Sequence, residues 1–224
     1  SEGTDSEFIK FFVVMNEQGT EIMPEGMLNL NAGLIMLTCF AFAAISAKMR
    51  ATTSMVIGTI MACVAMVIAG SVSAGWFMVI AIATFSVGEM LSSPKFSEFI
   101  GNFAPSDKKA MYLGFSQIPL AIGWTLEGYI GPALYEKFAS KERFSRELLE
   151  ADYGMTSANI EAIPQGEAFG RLVEISGLEP WTITEQLYNT HAVGTVWYIM
   201  TVVGILSAGG IWLYGRWILA LSKK

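Results

Sequence analysis

A run of 38 residues, Ala51–Gly88, contains not a single Asp, Glu, Lys or Arg and sharply limits the folds open to this chain. An α-helix rises about 1.5 Å per residue, so roughly 20 apolar residues cross the hydrocarbon core of a bilayer. The run therefore holds one membrane crossing, a turn and most of a second crossing. Because the apolar residues are continuous and do not alternate with polar ones, the pattern predicts helices and excludes a closed β-barrel.

Glu89 ends this run and falls near the middle of the second crossing, in the string VGEMLSSP. A carboxylate at membrane depth is expensive, and such groups by default mark a pathway for a substrate, an ion or a proton. The alternative is a structural carboxyl group that is neutral or paired with a neighbouring helix. Glu89 is therefore the first candidate functional residue of the chain.

The composition favours a membrane protein and excludes several functions. Only 15% of the 224 residues are charged, whereas a soluble domain usually carries about 25%. The net charge of −6, without a basic patch, argues against a nucleic-acid partner. A single His and the lack of a CxxC pair predict neither a metal site nor a cofactor. No combination of nucleophile, base and orienting residue is recognisable, so we do not expect an enzyme.

We predict an all-α membrane protein with five transmembrane helices, at about residues 27–47, 53–71, 76–99, 110–135 and 192–219. Basic residues in short loops mark the cytoplasmic side of a membrane. With five spans, the basic residues of two short turns and of the C-terminus all fall on one side, and they are Lys48, Arg50, Lys108, Lys109, Arg216, Lys223 and Lys224. We therefore expect a cytoplasmic C-terminus.

The domain organisation follows from these spans. We expect an outer loop at residues 1–25, four transmembrane helices at 26–135, an extramembrane helical cap at 136–190, and the last transmembrane helix with a cytoplasmic tail at 191–224. The cap either binds a partner or is an unspecialised loop that folds back on the spans.

Three helices are predicted in and after the cap. The string KERFSRELLEADYG predicts an amphipathic helix with Phe144, Leu148 and Leu149 on one side and a stop at Gly154. A second helix is predicted over residues 165–175. A third begins at Thr182 or Thr184, near TITEQL, and runs on through His191 into the last span.

Polar residues surround Glu89 on its own helix. Ser86 and Ser93 lie three residues before it and four after it, so they share its face. Pro94 removes a helical hydrogen bond, which kinks the span and can free a carbonyl group toward a cavity.

Two other predicted spans contribute candidates. The fourth span carries Gln117 and Glu127, and Glu127 either lines the same cavity nearer the outer surface or hydrogen-bonds locally near an interface. The first span carries Asn31 near its outer end. An amide in a membrane bundle either lines a cavity or only joins two helices.

One stretch of the chain, at residues 88–116, resembles part of a known protein family. It reads GEMLSSPKFSEFIGNFAPSDKKAMYLGFS. It is similar to the tenth span, cytoplasmic turn and start of the eleventh span of the major facilitator superfamily, closest to the proton-dependent oligopeptide transporter branch. In that branch a Gly-Glu pair is followed by Leu, Ser and Pro, and the span closes with Ala-Pro. LNLNAGLIMLTCFAFA, at residues 28–43, resembles the eighth span of the same branch.

This resemblance implies that the five spans are helices eight to twelve, the C-terminal half of a secondary active transporter in the bacterial inner membrane. It implies proton-coupled uptake of a small solute such as a peptide, with Glu89 engaging the amino terminus of the peptide and Asn31 lining the cavity. The implied partners are the bilayer, that small-molecule substrate and a missing N-terminal half or other membrane subunits.

A second function remains open. The chain is then a transporter-derived structural or accessory subunit of a larger membrane complex, without transport of its own. It opens with SEGTDSEF, with neither an initiator Met nor a signal peptide. We therefore expect it to begin after processing or partway through a longer protein, and we favour the second.

Overall fold

A computed structural model describes residues 24–71 and 75–221, and among these residues the regular structure is α-helical, without β-strands. The helices in chain order are α1 (Pro24–Ala47), α2 (Ala51–Ser71), α3 (Gly75–Phe103), α4 (Lys109–Phe115), α5 (Gln117–Phe138), α6 (Lys141–Ala151), α7 (Ser157–Glu161), α8 (Ala168–Ser176), α9 (Pro180–Thr190) and α10 (Thr195–Leu221). The predicted outer loop, apart from its last two residues, and the basic residues Lys223 and Lys224 lie outside the described residues.

Four of the described helices are long and apolar enough to cross a membrane. Their apolar segments are Asn29–Ala47 in α1, Ala51–Ser71 in α2, Phe77–Phe103 in α3 and Thr195–Ile218 in α10. Large apolar side chains such as Leu37 and Phe40 stay exposed on α1, as the surface of a helix in lipid requires. The chain is therefore an integral membrane protein, and these four segments match four of the five predicted spans.

The fourth predicted span, at 110–135, differs from the prediction of one continuous helix. It consists of α4 and α5, which are interrupted at Ser116. Pro119 has no N–H to donate to the carbonyl group of Phe115, so the helical ladder is broken at this point. The Ser116 hydroxyl instead donates to the carbonyl oxygen of Leu113 at 2.7 Å. α5 carries Glu127 and is not among the four apolar helices.

The chain divides into two compact units. We call them the bundle unit, which is Ser1–Ala121 with Trp197–Lys224, and the cap unit, which is Ile122–Val196. In the bundle unit, α3 packs against both α1 and α2.

Contacts within the bundle unit fix the direction of its helices. α2 runs antiparallel to α3, because Ser54 contacts Leu91 while Gly58, further along α2, contacts Gly88. α2 also runs antiparallel to α10. The two contacts that show this join Gly70 to Tyr198, whose hydroxyl donates to the Gly70 carbonyl oxygen at 3.2 Å, and Thr52 to Gly215. α3 and α10 are therefore parallel to each other.

The cap unit has a hydrophobic core of its own. Its buried members are Phe144, Leu149, Leu172, Ile183 and Leu187, from α6, α8 and α9. The amphipathic helix predicted from KERFSRELLEADYG is confirmed as α6, with Leu148 packed against the core. Gly154 follows it with a φ of +61°, a backbone conformation that favours glycine and ends the helix.

The prediction that the third cap helix runs on through His191 is wrong. α9 begins at Pro180 and ends at Thr190, and His191 is extended, with φ −109° and ψ 141°. In this conformation the imidazole stacks on the Phe144 ring, with 3.7 Å between ring centroids and 6° between planes. A turn then leads to Thr195, where α10 begins. Packing against Phe144 therefore accompanies the break between α9 and α10.

Candidate functional site

Glu89 is the central residue of α3, which has 29 residues. About 21 Å of helix therefore lies on either side of it, at 1.5 Å per residue. Its side chain is partly buried. Among the residues that the structure describes, its carboxylate accepts no hydrogen bond and forms no ion pair. The carboxylate is therefore chemically available to a proton or to a cationic group of a ligand.

Glu89 lies on α3 between the direction that faces α1 and the direction that faces α2. Gly88 faces α2, and Ser86 faces α1, where it contacts Asn31. Successive residues of a helix are turned by about 100°, so Glu89 points between these two directions. Ser93, one turn further along the same face, is exposed. This open face is the candidate site.

Asn31 and Ser86 form the polar contact between α1 and α3. Ser86 is fully buried, and its hydroxyl oxygen lies 2.5 Å from Asn31 Oδ1 and 2.8 Å from the carbonyl oxygen of Ile82. A hydroxyl group has one hydrogen, so it donates to only one of these oxygens. When the Ser86 hydroxyl donates to the Ile82 carbonyl oxygen, its own oxygen can accept an N–H from the Asn31 amide. This requires the amide to turn its NH₂ group toward Ser86, and the hydroxyl, the carbonyl group and the amide then all take part in a hydrogen bond. This contact holds α1 against α3 at a point about one helical turn before Glu89.

Hydroxyl groups support α3 around Pro94. Pro94 lies inside α3 and cannot donate to the carbonyl group four residues before it. Nearby, the buried Ser54 of α2 donates to the carbonyl oxygen of Leu91 at 2.8 Å, and Ser92 donates to that of Gly88 at 2.9 Å. Such hydroxyl groups satisfy backbone carbonyls where a helix in lipid is interrupted. α3 continues through the proline to Phe103.

The remaining predicted residues lie on α5, and both are exposed. Gln117 is its first residue. Glu127 belongs to the cap unit, and its side chain folds back along its own helix toward Gly131. A Cβ atom at Gly131 would stand 2.7 Å from Glu127 Oε1, so glycine provides the room for this carboxylate. The structure thus brings Asn31 and Ser86 into contact, with Glu89 three residues after Ser86 on the same helix. It places the carboxylate of Glu127 next to Gly131 of its own helix.

One ionisable residue of α3 was missed by the sequence analysis. Lys95 is 3% exposed, and its ammonium group donates to Glu98 Oε2 at 2.7 Å. It lies six residues after Glu89, about 9 Å further along the helix at 1.5 Å per residue. The K-x-x-E spacing, which places the two charges on one face of a helix, was the signal that could have found it. The local partner offsets part of the cost of a charge at this depth.

The described residues contain no group of three or more His, Cys, Asp or Glu side chains that could hold a metal ion. The described residues of this site offer single polar groups: a carboxylate, an amide and a hydroxyl. A carboxylate of this kind binds protons and cationic groups, and an amide binds hydrogen-bonding groups of either sense.

Fold and site together define an integral membrane protein with a carboxylate at the centre of an apolar helix. No protein-family model, no curated protein and no solved structure matches the chain.

Proposed function

We propose that this chain is part of a secondary active transporter of the major facilitator superfamily, which couples proton entry to the uptake of a small solute such as a peptide. The observation that carries the proposal is the partly buried carboxylate of Glu89 at the centre of α3, which has no partner within residues 24–71 and 75–221. Ionisable groups at membrane depth commonly belong to substrate pathways or proton relays. The resemblance of residues 88–116 to the tenth span of peptide transporters supports the same role.

In this mechanism Glu89 links two binding events. The carboxylate of Glu89 binds either a proton or a cationic group of the solute. A proton and an amino group therefore act on one carboxylate, so release of one depends on arrival of the other. Asn31, Ser86 and Ser93 offer hydrogen bonds to the rest of the solute.

The direction of the helices supports a fifth span. α3 and α10 are parallel, so a chain that leaves the membrane at the end of α3 has to return across it before α10 begins. The helix of residues 104–194 that is long enough is α5, whose 22 residues extend over about 33 Å. This topology puts Lys48, Lys108 and Arg216 on one side, which we place in the cytoplasm of a bacterial inner membrane.

The open face of α3 supports a larger assembly. Glu89 is partly buried and Ser93 exposed on this face, and contact of a carboxylate with lipid is expensive. Either further helices or a water-filled cavity therefore covers the face. Secondary transporters meet this requirement by placing the substrate near the bilayer midplane, between two repeats that rock against each other.

A second candidate function is that of a transporter-derived accessory subunit of a larger membrane complex. The observation in its favour is the cap unit, whose separate core lets it keep its shape as a docking module. In this case the face around Glu89 packs against other subunits, and the chain transports nothing itself.

Uptake by the complete protein tests the proposal. The protein is reconstituted into liposomes, a proton gradient with acid outside is imposed, and the entry of labelled peptides is measured for the native protein and for Glu89→Gln. Glutamine keeps the size of the side chain but does not titrate, so we expect gradient-driven accumulation to be lost. Glu174→Gln is the matched control, because it neutralises a carboxylate of the cap unit that is 68% exposed.

Solute exchange without a gradient separates the two roles of Glu89. A variant that exchanges but does not accumulate solute has lost proton coupling, and a variant that does neither has lost solute binding. Unchanged uptake with an unchanged pH dependence in Glu89→Gln contradicts the proposal. A native protein that shows no uptake and co-purifies with other membrane subunits supports the accessory role instead.

A further inference from the structure

One end of the bundle unit gathers basic residues from three separate parts of the chain. Lys48 and Arg50 lie in the turn between α1 and α2, Lys108 and Lys109 lie after α3, and Arg216 lies near the end of α10. These five residues form what we call the basic end.

Two contacts place the three parts together. Gly215 of α10 packs against Thr52 at the start of α2. Tyr214 of α10 packs edge-on against Phe99 near the end of α3, with 6.1 Å between ring centroids. The basic end is therefore one surface of the bundle unit and not a set of scattered charges.

The charges of the basic end are not neutralised within the described part of the chain. All five residues are exposed, and none of them forms an ion pair there. The arginines of the cap unit behave differently, because Arg143, Arg146 and Arg171 each pair with a glutamate three or four residues away. Near the basic end, Glu98 is already paired with Lys95. Asp107 is the other acidic residue there in the described part of the chain.

Aromatic side chains give this end the depth of a membrane interface. Trp212, Tyr214 and Trp217 of α10 are 49%, 41% and 59% exposed. The Arg216 guanidinium group lies over the Trp212 ring, 5.1 Å from its centroid. Exposed tryptophan and tyrosine rings sit at the level of lipid headgroups, so the guanidinium group is held at the level of lipid phosphates.

We propose that the basic end binds the headgroups of acidic phospholipids in the adjoining leaflet, in preference to zwitterionic ones. An acidic leaflet attracts basic side chains next to a membrane helix, and a guanidinium fork matches the oxygens of a phosphate group. The proposal requires only that the bundle unit spans the membrane. It holds for a transporter and for an accessory subunit alike.

Lipid titration of the purified complete protein in a neutral detergent tests the proposal. Native mass spectrometry measures the dissociation constants of phosphatidylglycerol and of phosphatidylcholine with the same acyl chains. We expect the native protein to bind phosphatidylglycerol more tightly and to lose the preference in concentrated NaCl. Removal of one base is expected to weaken this binding roughly fivefold, and Lys108→Gln with Lys109→Gln roughly 25-fold.

Arg216→Gln and Arg171→Gln form the matched pair, since each removes one exposed arginine, and only Arg216 belongs to the basic end. We expect the first to weaken phosphatidylglycerol binding and the second to leave it unchanged. Equal affinities of the two lipids for the native protein, or equal losses in both variants, overturn the proposal. So does displacement of phosphatidylglycerol by millimolar inorganic phosphate, which indicates an ion site, or binding of an acidic protein without a lipid preference.

Discussion

Gly58 and Gly88 face each other where α2 crosses α3, and neither position has room for a methyl group. A Cβ atom at Gly88 would stand 2.5 Å from the carbonyl oxygen of Gly58 and 3.1 Å from the backbone nitrogen of Ala62. These neighbours are backbone atoms and cannot rotate away. The close crossing fixes how α3 is turned, and therefore the direction of Glu89, which is the next residue.

We expect Gly88→Ala to destabilise the bundle unit, because the methyl group forces α2 and α3 apart. Overpacking of this kind costs about 1–3 kcal/mol. Thermal unfolding of the purified protein in detergent, followed by tryptophan fluorescence, measures the loss. Gly101→Ala is the matched control, because Gly101 lies on the same helix with nothing within 4 Å of its Cβ position. Equal losses in the two variants would rule out the crossing as the cause.

The contact between Asn31 and Ser86 is expected to stabilise the pairing of α1 with α3. A double-mutant cycle of Asn31→Ala and Ser86→Ala should give a coupling energy between about 0.6 and 1.7 kcal/mol, as for other polar contacts between membrane helices. Ser207→Ala is a control, because the bond that the Ser207 hydroxyl makes within the described part of the chain goes to the carbonyl oxygen of Val203 on its own helix. A coupling energy near zero would show that the two side chains act independently.

Arg146 is expected to be the main polar support of the cap unit. Its guanidinium group donates to Glu142 and to the carbonyl oxygens of Ile160 and Ile163, at 2.7–2.9 Å. Arg146→Met removes the guanidinium donor from Glu142 and from both carbonyl oxygens, so we expect a loss of roughly 1.5–3 kcal/mol. Hydrogen exchange of α8 amides reports it, since Glu142 also accepts the N–H of Ala168 at the start of α8.

Two further variants sharpen the Arg146 prediction. Arg146→Lys keeps the charge but not the planar fork of donors, so we expect it to restore little of the lost stability. Arg171→Gln removes an exposed ion pair and is expected to cost less than about 1 kcal/mol. If the Arg146→Met variant had a cap unit as stable as that of the native protein, this result would contradict the role of the network.

Chemical labelling tests the five-span topology. In a protein whose own Cys39 and Cys63 are replaced by Ala, Glu161→Cys and Lys108→Cys each supply one exposed thiol. A membrane-impermeant maleimide added to intact cells should label the first thiol and spare the second, because a crossing by α5 separates them. Labelling of both thiols, or of neither before lysis, would place them on one side and exclude this topology.

Several features could be predicted from the sequence because their signals are local. The charge-free run before Glu89 defines the apolar lengths of α2 and α3, since crossing a bilayer depends on length and composition. The same counting placed Glu89 near the middle of its span. Phe144 and Leu149 follow helical spacing and Gly154 permits a positive φ, so α6 and its end could also be predicted.

Other features depend on which helices meet. Asn31 and Ser86 are 55 residues apart, and no periodicity in either segment indicates that they touch. The burial of Lys95 depends in the same way on the packing of its helix in the bundle. The helix before His191 ends at Thr190, and the His191 side chain stacks on Phe144. Phe144 is distant from His191 in the sequence. Apolar length and composition thus indicated where four of the membrane helices lie and that a carboxylate lies within one of them. The pairing of the polar groups and the exposure of the face around Glu89 could not be predicted, because both depend on contacts between residues distant in the chain.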